Sequence, residues 1–114
     1  MRHSEWQRRI QDMLDAIAEI QSFTVGMDPE TFRQDRKTAQ AVAYNFVILG
    51  EAARQIPSDV QARYSHVPWA QIRSMRNVVA HEYRRVDVDI VWQTVQGNLP
   101  SLVPVLREVL ERES

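Results

Sequence analysis

From Trp6 to Val109 the apolar residues fall at alternating steps of three and four, a spacing that confines the chain to helices buried along one face. Trp6, Ile10, Met13, Ile17 and Ile20, widened by Leu14, predict a first helix over residues 4–24. Gly26 and Asp28-Pro29 stop it, with Asp28 as N-cap and Pro29 as first residue of a brief helical turn through 30–35. Ala39, Val42, Phe46, Leu49 and Ala53 mark a second helix over 36–55, ended by Pro57, which disfavours helical geometry in Ile56. A short turn over 58–64 follows, and Pro68 opens a third helix through Trp69, Ile72, Met75 and Val79. Asp87 is placed to cap a fourth, whose stripe is Val88, Val91, Val95, Leu99, Leu102, Leu106 and Val109. Gly97-Asn98 and Pro100 should bend or break that helix. With three glycines in 114 residues and no segment of alternating polarity, strands have no candidate. The expected fold is all-α, a compact up-down bundle of four main helices plus short helical turns, one domain over residues 1–114. A chain of this size buries roughly two-thirds of its unfolded surface, so every helix must contribute to one core.

Within the third stripe one stretch breaks the apolar pattern: Arg76-Asn77-Val78-Val79-Ala80-His81-Glu82-Tyr83. Between residues 73 and 85 stand Arg73, Arg76, Arg84 and Arg85 against the single acid Glu82, a local formal charge of +3. The rest of the chain sums to −4, so this is one positive strip on an acidic body. A histidine that titrates near neutrality beside such a strip suits an anionic ligand, with phosphate, and hence nucleic acid or nucleotide, first among them. The total of −1 excludes a generally basic nucleic-acid coat. Thirteen of the fourteen basic residues are arginines, whose planar fork grips phosphate at two points where lysine offers a point charge.

Other chemistries find little support. The absence of cysteine removes disulfides, thiol catalysis and cysteine metal sites. His3, His66 and His81 lie far apart without a His-x-x-x-His or carboxylate-bracketed spacing, so no metal centre is expected, and no other cofactor. The first residues run straight into a charged amphipathic helix, and no run approaches eighteen apolar residues. The expectation is a soluble, cytoplasmic protein with no membrane partner.

Arg76 and His81 are separated by about 140° around a regular helix, too far to share a target from mid-helix. Either the helix loosens near His81, or a second protomer completes the pair across a two-fold axis. Asn77, His81 and Arg84 do share a face, so Asn77 can orient the imidazole or donate to a phosphate. The chemistry suggested is metal-independent RNA cleavage: a base takes the 2′-hydroxyl proton while a cation steadies charge on the phosphorus oxygens. General acid–base catalysis contributes about 10² to 10⁴-fold, and an arginine aimed at developing charge a comparable factor.

These residues resemble the signature of the HepT-like family within the HEPN superfamily, in which arginine is followed after four residues by histidine and, one residue on, by tyrosine: here Arg76, His81 and Tyr83. Ala41-Val42-Ala43-Tyr44-Asn45-Phe46, Ile48-Leu49-Gly50-Glu51-Ala52-Ala53, Val67-Pro68-Trp69 and Met75-Arg76-Asn77 also look like that family's blocks, in the same order. The resemblance covers essentially the whole chain. It implies an HEPN-like helical-bundle homodimer, alone or within a larger hetero-oligomer, acting as an endoribonuclease toxin on RNA. Its implied partner is a cognate minimal nucleotidyltransferase antitoxin that adenylylates the motif tyrosine. On that resemblance Arg76 and His81 are catalytic, Asn77 supports them and Tyr83 is the modified residue; the positive strip adds Arg73, Arg84 and Arg85 as RNA contacts and Glu51 as a supporting acid.

Plainer readings stand beside these. Arg76 could simply pair with an acid such as Glu51, and His81 could cap the third helix against its C-terminal dipole. Tyr83 could be a half-buried core residue whose hydroxyl finds one partner. Glu51, inside an apolar helix, must be neutralised or paired, either with the arginine strip or across a dimer. Trp6, Trp69 and Trp92 fall on or beside apolar stripes, as core or interface aromatics do, and Asp12, Asp15 and Glu19 form a solvated face of helix one. The alternative function is a non-catalytic helical partner, or nucleotide-binding accessory, of a nucleotidyltransferase.

Overall fold

The computed structural model describes residues 4–80 and 88–113, and these form seven α-helices with no strand among them. In chain order they are α1 (Glu5–Thr24), α2 (Pro29–Gln34), α3 (Arg36–Arg54), α4 (Ser58–Arg63), α5 (Trp69–Ala80), α6 (Val88–Gly97) and α7 (Leu99–Glu113). The first helix is closed by a capping box: the Ser4 amide donates to Gln7 Oε1 at 2.7 Å while the Ser4 hydroxyl accepts from the Gln7 amide. It stops at Gly26, whose φ of 78° is left-handed and open to glycine without strain. Asp28 then caps α2, accepting from the Thr31 amide at 2.8 Å, with Pro29 in the first turn as its spacing predicts.

The second long helix occupies its expected span to within one residue and acquires a cap the stripe did not indicate, Asp35 accepting from the Thr38 amide at 3.0 Å. Pro68 departs from expectation by one position. It precedes α5 and its carbonyl accepts the first helical bond, from Ile72 at 3.0 Å, so it stands at the N-cap position and Trp69 is the first helical residue. The anticipated interruption at Gly97-Asn98 is a full break that divides the fourth stripe into α6 and α7. The N-cap assigned to Asp87 lies outside the described residues.

At the centre of the bundle, α3 packs against α1 on one side and α5 on the other, while α7 closes against α1 and α6, and α2 bridges α3 and α6. The core is the predicted set of stripes: Ile10, Met13, Ile17 and Ile20 from α1, Val42, Phe46 and Leu49 from α3, Ile72 from α5, and Val91, Leu99, Leu106 and Val109 from the last two helices, all essentially inaccessible. Each such side chain contributes about 1.5–3 kcal/mol of transfer free energy, which sets the helix register more firmly than intrinsic propensity does. All three tryptophans pack: Trp69 is buried and donates to the Tyr64 carbonyl at 3.0 Å, Trp92 lies 5.3 Å from the ring of Phe32, and Trp6 is half-buried. Among the described residues no helix is long and apolar enough to cross a membrane.

Position 50 fixes how closely α5 lies on α3. A Cβ built on Gly50 would stand 2.6 Å from the Cβ of Arg76 and 3.1 Å from the carbonyl of Arg73. No side chain larger than hydrogen fits, and two backbones therefore meet face to face at the turn of α5 that carries both arginines.

Candidate functional site

Helices α3, α4 and α5 converge on one open surface. Arg73 and Arg76 are one turn apart on α5, Asn77 is exposed beside them, and the last turns of α3 bring Glu51 and Arg54 alongside through the Gly50 contact. Between them and α4 runs a shallow groove of about 650 Å³ lined by Arg54, Ser58, Gln61, Arg73, Arg76 and Asn77, with Ile56, Ala70 and Ser74 completing its described wall. That wall holds three arginines, no acid and no aromatic ring.

One carboxylate governs two of the three arginines. Glu51 Oε1 accepts from Arg76 Nη1 at 2.5 Å, and Glu51 Oε2 accepts from Arg54 Nη1 at 3.1 Å. Of the two readings open for Glu51, the structure realises the pairing with the arginine strip. The third arginine, Arg73, donates from Nη1 to Gln61 Oε1 at 2.6 Å. Glu51 is 42% exposed, Arg76 32% and Arg54 55%, so these pairs sit in high dielectric and contribute about 0–1 kcal/mol each. An ion pair that weak orients a guanidinium without withholding it, and a phosphate oxygen can replace the carboxylate at little cost.

Of the residues singled out in the sequence, Arg73, Arg76 and Asn77 share this groove, and Glu51, outside its described wall, is bonded to Arg76. His81, Tyr83, Arg84 and Arg85 lie outside the described residues. The described part of α5 ends at Ala80, so His81 is the next residue along the chain. Sequence reasoning passed over Arg54 and Gln61. For Arg54 a local signal existed, since Glu51 and Arg54 are an i,i+3 acid–base pair at the end of a helix. For Gln61 there was none, because its place in the wall depends on how α4 packs. Among the described residues no three His, Asp or Glu side chains converge where a metal ion could be held.

A model of the family described as Ribonuclease HepT-like matches residues 13–109 of this chain. "Probable ribonuclease HepT" of Thermococcus cleftensis is 38% identical over 93 residues, which cover 82% of this chain and 84% of that protein. "Putative RNase MJ0125" of Methanocaldococcus jannaschii is 30% identical over 100 residues, covering 88% of this chain and 86% of its own. "Putative RNase TTE0752" of Caldanaerobacter subterraneus is 33% identical over 88 residues, covering 77% of this chain and 79% of its own. No solved structure matches.

Proposed function

This chain belongs to the ribonuclease HepT-like family, and on that premise we propose that it is a metal-independent endoribonuclease acting in the cytoplasm as the toxin of a toxin–antitoxin pair. The observation that carries the proposal is Arg76 itself, positioned by Glu51 at the edge of an arginine-walled groove whose described lining holds no acid, five residues before His81 in the chain. In the reaction His81 takes the proton of a ribose 2′-hydroxyl. The 2′-oxygen bonds to the adjacent phosphorus, the bond to the 5′-oxygen breaks, and that oxygen leaves with a proton taken from solvent water, while His81 returns the proton it took to solvent. The products are a 2′,3′-cyclic phosphate and a free 5′-hydroxyl. Arg76 stabilises the negative charge that builds on the non-bridging oxygens, and Asn77 orients the imidazole or the phosphate.

A homodimer fits the angular separation of Arg76 and His81, because two strips facing each other let the arginine of one protomer serve the histidine of its partner. A surface suited to that contact lies on α3: Tyr44 is 67% exposed, and the partly exposed Val47 and Ile48 carry an apolar stripe from it toward Glu51. Regulation would fall on Tyr83. An adenylyl group placed there by a cognate minimal nucleotidyltransferase adds negative charge and bulk two residues from His81, and so excludes an RNA phosphate by occupancy and repulsion.

Incubating purified protein with RNA in EDTA tests the reading. Wild type should cut and leave cyclic-phosphate ends, while Arg76→Ala and His81→Ala should leave RNA intact with their helical circular dichroism unchanged. Intact RNA with wild type would favour the non-catalytic partner module. For the regulatory step, a Tyr83→Phe protein that the nucleotidyltransferase still silences in the presence of ATP would remove Tyr83 from the mechanism.

A further inference from the structure

We propose that the groove beside Arg76, walled by Arg73 and Arg54, is a binding track for the sugar–phosphate backbone of a single RNA strand next to the phosphate that is cut. The inference rests on the ribonuclease reading and assigns a role to Arg54, which lies in a different helix from the catalytic signature.

Three observations converge on a strand rather than a lone phosphate. Arg73 precedes Arg76 by three residues of α5, a rise of about 4.5 Å, so two cationic side chains succeed one another along the groove on the scale of a nucleotide step. Arg54 faces them from the last turn of α3, giving the track charge on both walls. The described wall contains no carboxylate to repel a polyanion, and Glu51, outside that wall, is engaged by its bonds to Arg54 and Arg76.

The chemistry of the wall also says what is read. Without an aromatic ring there is no platform on which a base could stack. Ser58, Gln61 and Asn77 offer only small polar groups, and Gln61 already accepts from Arg73. The groove therefore holds phosphates and riboses and is indifferent to base identity, a positioning element whose affinity falls with salt. A single strand is required by the reaction it serves. In-line attack places the 2′-oxygen opposite the leaving 5′-oxygen, an arrangement that a regular duplex does not adopt.

The test uses the full chain and a fluorescein-labelled 2′-O-methyl oligonucleotide of about twelve nucleotides, within the usual span of a single-strand track and uncuttable for want of a 2′-hydroxyl. Binding is read by anisotropy across a salt series for wild type, Arg54→Gln, Arg73→Gln, the double variant and Arg112→Gln, an exposed arginine on α7 that is not part of the groove's described wall. Each groove substitution should weaken binding about fivefold at low salt. The double variant should flatten the dependence of log K on log salt by about 1.4, two single-strand phosphate contacts. Arg112→Gln should match wild type, and the duplex form of the same oligonucleotide should bind more weakly. On a long cleavable RNA, KM should rise in the groove variants while kcat changes far less.

If wild type cuts RNA but the groove variants keep its affinity, salt slope and KM, the track is wrong and the ribonuclease reading stands. If wild type binds the oligonucleotide through Arg54 and Arg73 yet never cuts, the track stands and the ribonuclease reading fails. Equal affinity for duplex overturns the single-strand assignment, and failure of wild type to bind any RNA overturns the track, leaving the groove as a surface for an acidic protein.

Discussion

The Glu51 carboxylate is bonded to the guanidinium of Arg76 at 2.5 Å while its second oxygen reaches Arg54. An acid shared in this way sets the direction of an arginine that must point at a phosphate, and it also subtracts charge from the surface that attracts that phosphate. The two effects separate on substitution. Glu51→Gln should bind an uncuttable RNA up to about fivefold more tightly, because one negative charge is gone from a half-exposed site. Its kcat should fall about tenfold or more, since a misplaced catalytic group costs rate steeply. Anisotropy and single-turnover cleavage read the two arms, and an unchanged kcat would deny Glu51 its positioning role.

Gly50→Ala sets helix propensity against space. Alanine is intrinsically better in a helix by about 1 kcal/mol, but here its methyl would overlap the Cβ of Arg76 and crowd the Arg76 amide at 3.0 Å. Overpacking costs about 1–3 kcal/mol, more when a backbone must move, so the variant should be destabilised in urea melts and should lose cleavage as α5 shifts. Gly97→Ala is the contrasting case, with nothing within 4 Å of the added methyl, and should be neutral or slightly stabilising.

Acid should weaken the fold through its caps. The amide and hydroxyl of Thr31 hold the Asp28 carboxyl below its ordinary value of 3.8, and those of Thr38 do the same for Asp35. A depressed carboxyl stabilises the native state fully above its unfolded pKa, and that contribution is lost as pH falls through the folded one. Stability should therefore hold above about pH 5 and decline below about pH 4. The Asp28→Asn/Asp35→Asn double variant should melt near the wild-type temperature at pH 7, because asparagine caps helices comparably, and should show a shallower loss of melting temperature in acid.

Tyr64→Phe should cost about 0.5–1.5 kcal/mol of stability in denaturant titration. Its buried hydroxyl donates to Glu113 Oε2 at 2.6 Å, and that bond, followed by burial and the Glu113 charge, pushes the phenol pKa up. The Glu113 carboxylate keeps Arg63 as a partner and its carbonyl keeps Gln7, so the loss should stay local and leave RNA cleavage intact.

The helices were legible because burial of one face imposes a period that any reader of the chain can count. Ile10, Met13, Ile17 and Ile20 are inaccessible as their spacing requires, and Asp28-Pro29 and Gly97-Asn98 punctuate the chain where local backbone chemistry demands. Asp35 and Thr38 carried a capping signal three residues apart that the apolar stripe of α3 obscured. Of the site, Arg76 and Asn77 were legible as exceptions to an apolar pattern. The groove was not, because it exists only where α3, α4 and α5 cross. Arg54 is twenty-two residues from Arg76 in the chain and comes beside it through Glu51 and the bare surface of Gly50.

The Gly50 contact also constrains how this protein can change. What a side chain at 50 would strike is the Cβ and backbone of residue 76, atoms shared by every amino acid except glycine at Cβ and by all of them along the backbone. No exchange of the arginine for another functional side chain relieves the clash, so the two positions do not trade substitutions as ordinary packing neighbours do. The glycine is a requirement of the crossing and the arginine a requirement of the chemistry. A lineage could discard the second and keep the first, leaving an intact scaffold with its groove free for another anion or for none.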